Sequence, residues 1–125
     1  MVFNDPIENV AYNLNDKFLY LLSNNPGKLT TINDTRIVDS KEIGGNPEKI
    51  LFNPNSGLIY VTKENNYEYS IDVFENLLLK SNIPIKYLYD GIIVNPSNGL
   101  IYMVDGNIVY IIEGGSVIDK IILNV

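Results

Sequence analysis

The chain contains no cysteine, no histidine and no tryptophan. Without cysteine there are no disulfides and no thiol nucleophile, and without histidine there is no imidazole base and no zinc or copper site of the usual kind. Basic residues are also scarce: nine against fifteen acidic ones, for a formal net charge of −6. With a sequence pI near 4.4, the surface has the wrong sign to collect phosphates, so nucleic acid is not expected as a partner. Apolar runs such as Ile108 to Ile112 or Leu77 to Leu79 are far short of the roughly 20 residues that a membrane-spanning helix needs. The opening Met-Val-Phe-Asn-Asp-Pro has neither a basic start nor an apolar stretch, so no signal peptide is expected there. What is present is enough to fold: 125 residues, 46% hydrophobic and only 19% charged, a composition that excludes intrinsic disorder and fits a single domain.

The most informative feature is an internal repeat. Ile50-Leu-Phe-Asn-Pro-Asn-Ser-Gly-Leu-Ile-Tyr-Val-Thr62 returns 42 residues later as Ile92-Ile-Val-Asn-Pro-Ser-Asn-Gly-Leu-Ile-Tyr-Met-Val104, with seven of thirteen positions identical. A weaker copy, Val10 to Leu22, precedes the middle one by 40 residues. Asn13, Asn53 and Asn95 anchor the copies, and each is followed seven residues later by Tyr20, Tyr60 or Tyr102.

Within a copy the pattern divides into four extended runs, at 49–53, 58–63, 67–74 and 77–83 in the middle copy and 91–95, 100–104, 107–112 and 116–123 in the last. Asn-Pro-Asn-Ser-Gly and Asn-Pro-Ser-Asn-Gly join the first two runs, with Pro setting φ and Gly or Asn able to take a positive φ. Asp105-Gly106-Asn107 and Glu113-Gly114-Gly115 are further hairpin signals. Val73 to Lys80 has a helical look, but it falls where the other copies place strand, turn and strand, and is read as strand. A tandem unit of about forty residues with four antiparallel strands is a β-propeller blade. The expectation is an all-β chain of three blades, near 6–46, 47–88 and 89–125. A β-sandwich is the rival, but it gives no reason for the same turn and the same Tyr to return every four strands.

Asn53-Pro54 through Tyr60-Val61-Thr62 and Asn95-Pro96 through Tyr102-Met103-Val104 resemble the YVTN repeat, named for a Tyr-Val-Thr-Asn run on the second strand of a blade. In the first copy the pattern thins to Asn13-Leu14 and Tyr20-Leu21-Leu22-Ser23, and Lys63 and Asp105 replace the motif's final Asn in the others. The resemblance implies β-propeller architecture, as in archaeal surface-layer and bacterial secreted proteins, a cell-surface or extracellular setting, a scaffold role and no shared catalytic residues. Propellers close with 4 to 8 blades, so three blades leave two apolar end faces to be covered. Two copies related by a two-fold axis would close a six-bladed ring, and a homodimer is expected.

Aligned on the anchoring Asn, Glu8, Glu48 and Asp90 occupy one equivalent position, five residues upstream, where the chain enters the innermost strand. Carboxylates converging on a channel mouth would attract Ca²⁺, a basic peptide or an amine; the plainer reading is solvated loop charge. Tyr20, Tyr60 and Tyr102 are expected between blades as packing residues. Tyr67, Tyr69, Tyr87 and Tyr89 are less regular, and loop aromatics of that kind could stack on a sugar, making a glycan-binding or other small-ligand propeller the alternative. Gly44-Gly45-Asn46-Pro47 and Glu113-Gly114-Gly115 lead into no helix and precede no Gly-Lys-Ser or Gly-Lys-Thr, so they are turns and not phosphate loops. Asn33-Asp34-Thr35 is a glycosylation sequon, meaningful only on an exported chain. Carboxylate chemistry of a hydrolase or lyase is the one catalytic option left, and no carboxylate pair stands apart. The function expected is a non-enzymatic binding or assembly module.

Overall fold

In a computed structural model that describes residues 6–86 and 91–124, the chain is all-β, with twelve strands and no helix among the described residues. Strands β1 (Ile7–Asn13), β2 (Phe18–Ser23), β3 (Lys28–Asn33) and β4 (Arg36–Glu42) form the first four-stranded sheet. The second holds β5 (Asn46–Phe52), β6 (Ile59–Asn65), β7 (Glu68–Glu75) and β8 (Leu78–Ile85). The third holds β9 (Gly91–Val94), β10 (Ile101–Asp105), β11 (Ile108–Glu113) and β12 (Ser116–Ile122). Every pairing joins consecutive strands and is antiparallel, so each sheet is a simple up-and-down meander, the blade of a propeller. The helical-looking stretch after Val73 is the end of β7, the turn at Asn76 and Leu77, and the start of β8.

The anchoring Asn shapes each blade in the same way. The Oδ1 of Asn13, Asn53 and Asn95 accepts the backbone N–H two residues on, from Asn15 at 2.9 Å, Asn55 at 3.0 Å and Ser97 at 3.0 Å. Its carbonyl accepts a second N–H four residues on, from Lys17, Gly57 and Gly99, each at 2.8 Å. That fourth residue needs a positive φ, which is 81° at Gly57 and 75° at Gly99, conformations glycine takes freely. In the first blade Lys17 carries it, at 65°, and the loss of this glycine is one reason the first copy is hard to see in the sequence. The outer hairpins repeat as well: Asp34, Asn76 and Gly114 all have φ between 52° and 58°, and a bulge follows at the same register in β4, β8 and β12.

Alternation along the strands gives each blade two faces. Tyr20, Leu22 and Leu29 of blade 1 meet Ile50, Ile59, Val61 and Phe74 of blade 2 in one buried layer. Tyr60, Ile71, Val73 and Ile83 on the other face of blade 2 meet Ile92, Ile101, Met103 and Ile112 of blade 3 in a second. The core is therefore two slabs between blades. Polar bonds lock the second slab: Asn53 Nδ2 donates to the Gly99 carbonyl at 2.8 Å, and the Tyr60 hydroxyl donates to the Gly114 carbonyl at 2.8 Å. The outer strands β4 and β12 are exposed along almost their whole length.

Asn53→Ala removes the turn acceptor and leaves the Gly99 carbonyl in a buried place without its donor, so it should cost about 2–3 kcal/mol in urea unfolding. Asn95→Ala loses the same turn without an interblade bond, so it should cost about 1 kcal/mol. Burial raises the Tyr60 hydroxyl above the usual phenol range and pushes the Tyr20 hydroxyl well above it, where the neighbouring Asp16 adds to the effect. In the unfolded chain these phenols ionise near pH 10 while in the fold they stay protonated, so stability is full below about pH 10 and is lost as pH rises above it. Tyr20→Phe should flatten the alkaline decline of the melting temperature.

Candidate functional site

Glu8 and Glu48 sit at equivalent β-bulges on the innermost strands. Ile7 pairs with Ser23 and Asn9 with Leu22, leaving Glu8 as the extra residue, and Pro47 and Lys49 flank Glu48 in the same way against Lys63 and Thr62. Because β5 begins at Asn46, Glu48 lies inside the strand and not at its entrance. Both carboxylates are exposed. Asp90, the third member of the expected set, lies outside the described residues. Among the described residues, no group of three carboxylates is placed to hold a metal ion.

The tyrosines divide by blade. Tyr20 and Tyr60 are fully buried. Tyr102 is only half-buried, because its row, Ile93, Tyr102 and Ile111, faces away from blade 2. Tyr67 is 91% exposed and, with the half-buried Tyr69, lines a polar cavity of about 500 Å³ that also reaches Lys63, Glu68 and Asn82. Tyr87 and Tyr89 lie outside the described residues. Beside that cavity the Glu64 carboxylate accepts from Asn46 Nδ2 at 2.8 Å and from the Tyr67 N–H at 3.1 Å, which holds its carboxyl below the usual range.

A buried ion pair underlies the same region and was not singled out from the sequence. Asp72 on β7 is 2% exposed, and Lys63 on β6 approaches its carboxylate at 2.7 Å. Asn82 Nδ2 donates to the other carboxylate oxygen at 2.7 Å, and Lys63 Nζ also reaches the Ile43 carbonyl in the linker between blades 1 and 2 at 3.0 Å. The pair therefore ties the middle blade to the strand connection before it. Aligning the repeats would have exposed it: where blade 2 has Lys63 and Asp72, blade 1 has Ser23 and Thr30 and blade 3 has Asp105 and Tyr110.

Another surface feature is the outward face of blade 3. Cross-strand rows Ile93–Tyr102–Ile111 and Val104–Val109–Ile121 form an apolar sheet face, with Ile93 64% and Ile121 47% exposed. By register this is the face that blade 2 buries against blade 3 through Leu51, Tyr60 and Val73. The outward face of blade 1 carries Val10 and Tyr12, 48% and 50% exposed, at the positions where blade 2 presents Ile50 and Phe52 to blade 1.

Lys63→Met should destabilise by about 3–5 kcal/mol, since it strands a buried carboxylate, whereas Lys63→Met with Asp72→Leu should recover most of that loss. Urea midpoints of the three proteins check both statements.

No family model matches the chain, and comparison with curated proteins gives no significant match. Among solved structures, a eukaryotic initiation factor superposes with a TM-score of 0.75 at 18% identity over 99% of this chain and 34% of the other. Hydrazine synthase of Kuenenia stuttgartiensis superposes with a TM-score of 0.74 at 14% identity over 98% of this chain and 38% of the other. The chain thus spans little more than a third of either structure, and at these identities the likeness is one of fold: both are consistent with propeller-like blades.

Proposed function

We propose that the chain is a non-enzymatic β-propeller module, of the YVTN kind its repeat resembles, whose two end faces are its working surfaces. It associates head to tail with a second copy, blade 3 of each packing on blade 1 of the other, so that six blades close one ring. One observation carries this reading: the free face of blade 3 and the free face of blade 1 stand at the register positions that already bury each other at both junctions inside the chain. Each exposed face therefore has a complement of matching geometry on any second copy. Burial of apolar area drives the association at about 25 cal/mol per Å², less the freedom lost on docking. Six blades also fall within the 4 to 8 that propellers use.

Light scattering at micromolar concentration should give twice the 14.1 kDa of one chain. Ile93→Lys and Ile111→Lys, placed on the free face and outside both buried clusters, should each return the protein to a folded species of one chain's mass. A wild-type mass of one chain would overturn the reading.

A further inference from the structure

The two junctions between blades are not closed alike. Between blades 2 and 3, the outer hairpin of blade 3 sits flush on blade 2: Tyr60 donates to the Gly114 carbonyl at 2.8 Å and Ser81 Oγ to the Gly115 carbonyl at 2.9 Å. A Cβ on Gly115 would lie 2.8 Å from Ser81 Cβ, so only glycine permits this approach. At the matching places between blades 1 and 2 stand Tyr20 for Tyr60, Asp39 for Ser81, and Asn76 and Leu77 for the two glycines. The substitutions undo the closure. The Tyr20 hydroxyl donates to Asp16 within its own blade, and a cleft of about 430 Å³ remains between the blades.

The cleft has a definite chemistry. Phe18, Tyr20, Leu77 and Leu78 give it apolar walls, and Asp16, Asp39 and Glu75 stand around them. Among the described residues, no lysine or arginine lines it. On the flanking strand, Lys41 donates to the Leu77 carbonyl at 3.1 Å and lies over the Phe74 ring. Arg36 borders a smaller neighbouring hollow that shares Phe18 and Val38. Two of the carboxylates also hold backbone: Asp16 Oδ1 accepts the Phe18 N–H and Asp39 Oδ1 the Ser40 N–H, each at 2.8 Å. They are thereby fixed in position as charges at the mouth of an apolar slot.

We propose that this cleft docks an arginine or lysine side chain of a partner protein, with an aliphatic residue of the same segment against the apolar walls. An apolar slot of this volume lies in the range of ligand sites. Three carboxylates without a lining cation select a positive head, and a long alkyl stem satisfies the apolar walls while its charge stays at the rim. The inference is independent of head-to-tail assembly, because it uses only the junction inside one chain.

The test is an amide chemical-shift titration of the ¹⁵N-labelled full chain with acetyl-Leu-Arg-Leu-amide, alongside the same peptide carrying citrulline, the uncharged isostere of arginine. Saturable shifts should map to Phe18, Leu77, Leu78 and their neighbours, and the citrulline peptide should bind more weakly. Asp39→Asn and Glu75→Gln, both exposed positions, should each weaken binding about two- to fivefold, as expected for one partly exposed charge pair. Absence of shifts at millimolar peptide, shifts centred elsewhere, or equal binding of the citrulline peptide would overturn the proposal. So would ethylguanidine binding as tightly as the peptide, which would make the cleft a site for small organic cations. A monomeric protein that gives the expected map would leave this inference standing while the assembly reading fell.

Discussion

A four-stranded sheet that is apolar on both sides cannot be stable in isolation, and that constraint orders this molecule. Each blade needs a cover on each face, and in a tandem repeat the cover is the next copy. Blade 2 meets the requirement twice, with Ile59 and Val61 turned to blade 1 and Tyr60 to blade 3, so that alternate residues of one strand serve two different slabs. The middle blade accordingly holds fully buried side chains on both faces, while the outermost strand of the third is exposed throughout. The end faces of the array are the surfaces on which the same physics still acts.

Apolar slabs slide unless something fixes their register, and here hydrogen bonds supply it. The Asn53 side chain builds its own turn through Oδ1 and holds the next blade through Nδ2. One residue thus couples local folding to interblade spacing, and Tyr60 repeats the device at the outer hairpin. The first junction keeps the close approach of a glycine to an Asn at the inner turn, Gly57 to Asn15 as Gly99 to Asn55, but uses different means further out. Lys63 bridges Asp72 and the Ile43 carbonyl, and Lys41 reaches across to the Leu77 carbonyl. At its outer hairpin these long side chains stand where the second junction has flush glycine contacts, and a cleft lies between the blades.

Much of the architecture was legible because it is carried by residues whose conformational demands are strong. Asn-Pro and glycine at fixed offsets specify a turn, and their return after 42 residues specifies a repeat. The strand boundaries were less exact: β5 starts at Asn46 because a bulge at Glu48 lets the pairing continue past the point where the alternation breaks. The polar anchor of the middle blade was missed for a different reason. Lys63 and Asp72 are nine residues apart in sequence and on different strands, so their approach to 2.7 Å depends on the hairpin register and not on any local motif. Tyr102 was expected between blades by analogy with Tyr60. It is the corresponding residue, but its slab partner is not supplied by the described residues, so it remains half-buried.

Differences among the copies carry information that the similarities do not. Selection for closure alone would let the same small residues recur at every junction, as Gly114 and Gly115 do against Tyr60 and Ser81. The first junction departs from that solution at three of its four matched positions, only the tyrosine being kept, and the departures are coherent: Asn76 and Leu77 stand where the second junction has glycines, and a carboxylate at Asp39 lines the opening. The second junction closes the equivalent space with glycines, whereas the first leaves it open and lined by carboxylates in a chain of net charge −6. In the proposed assembly the end faces do the joining, and in the proposed docking the first junction supplies the slot.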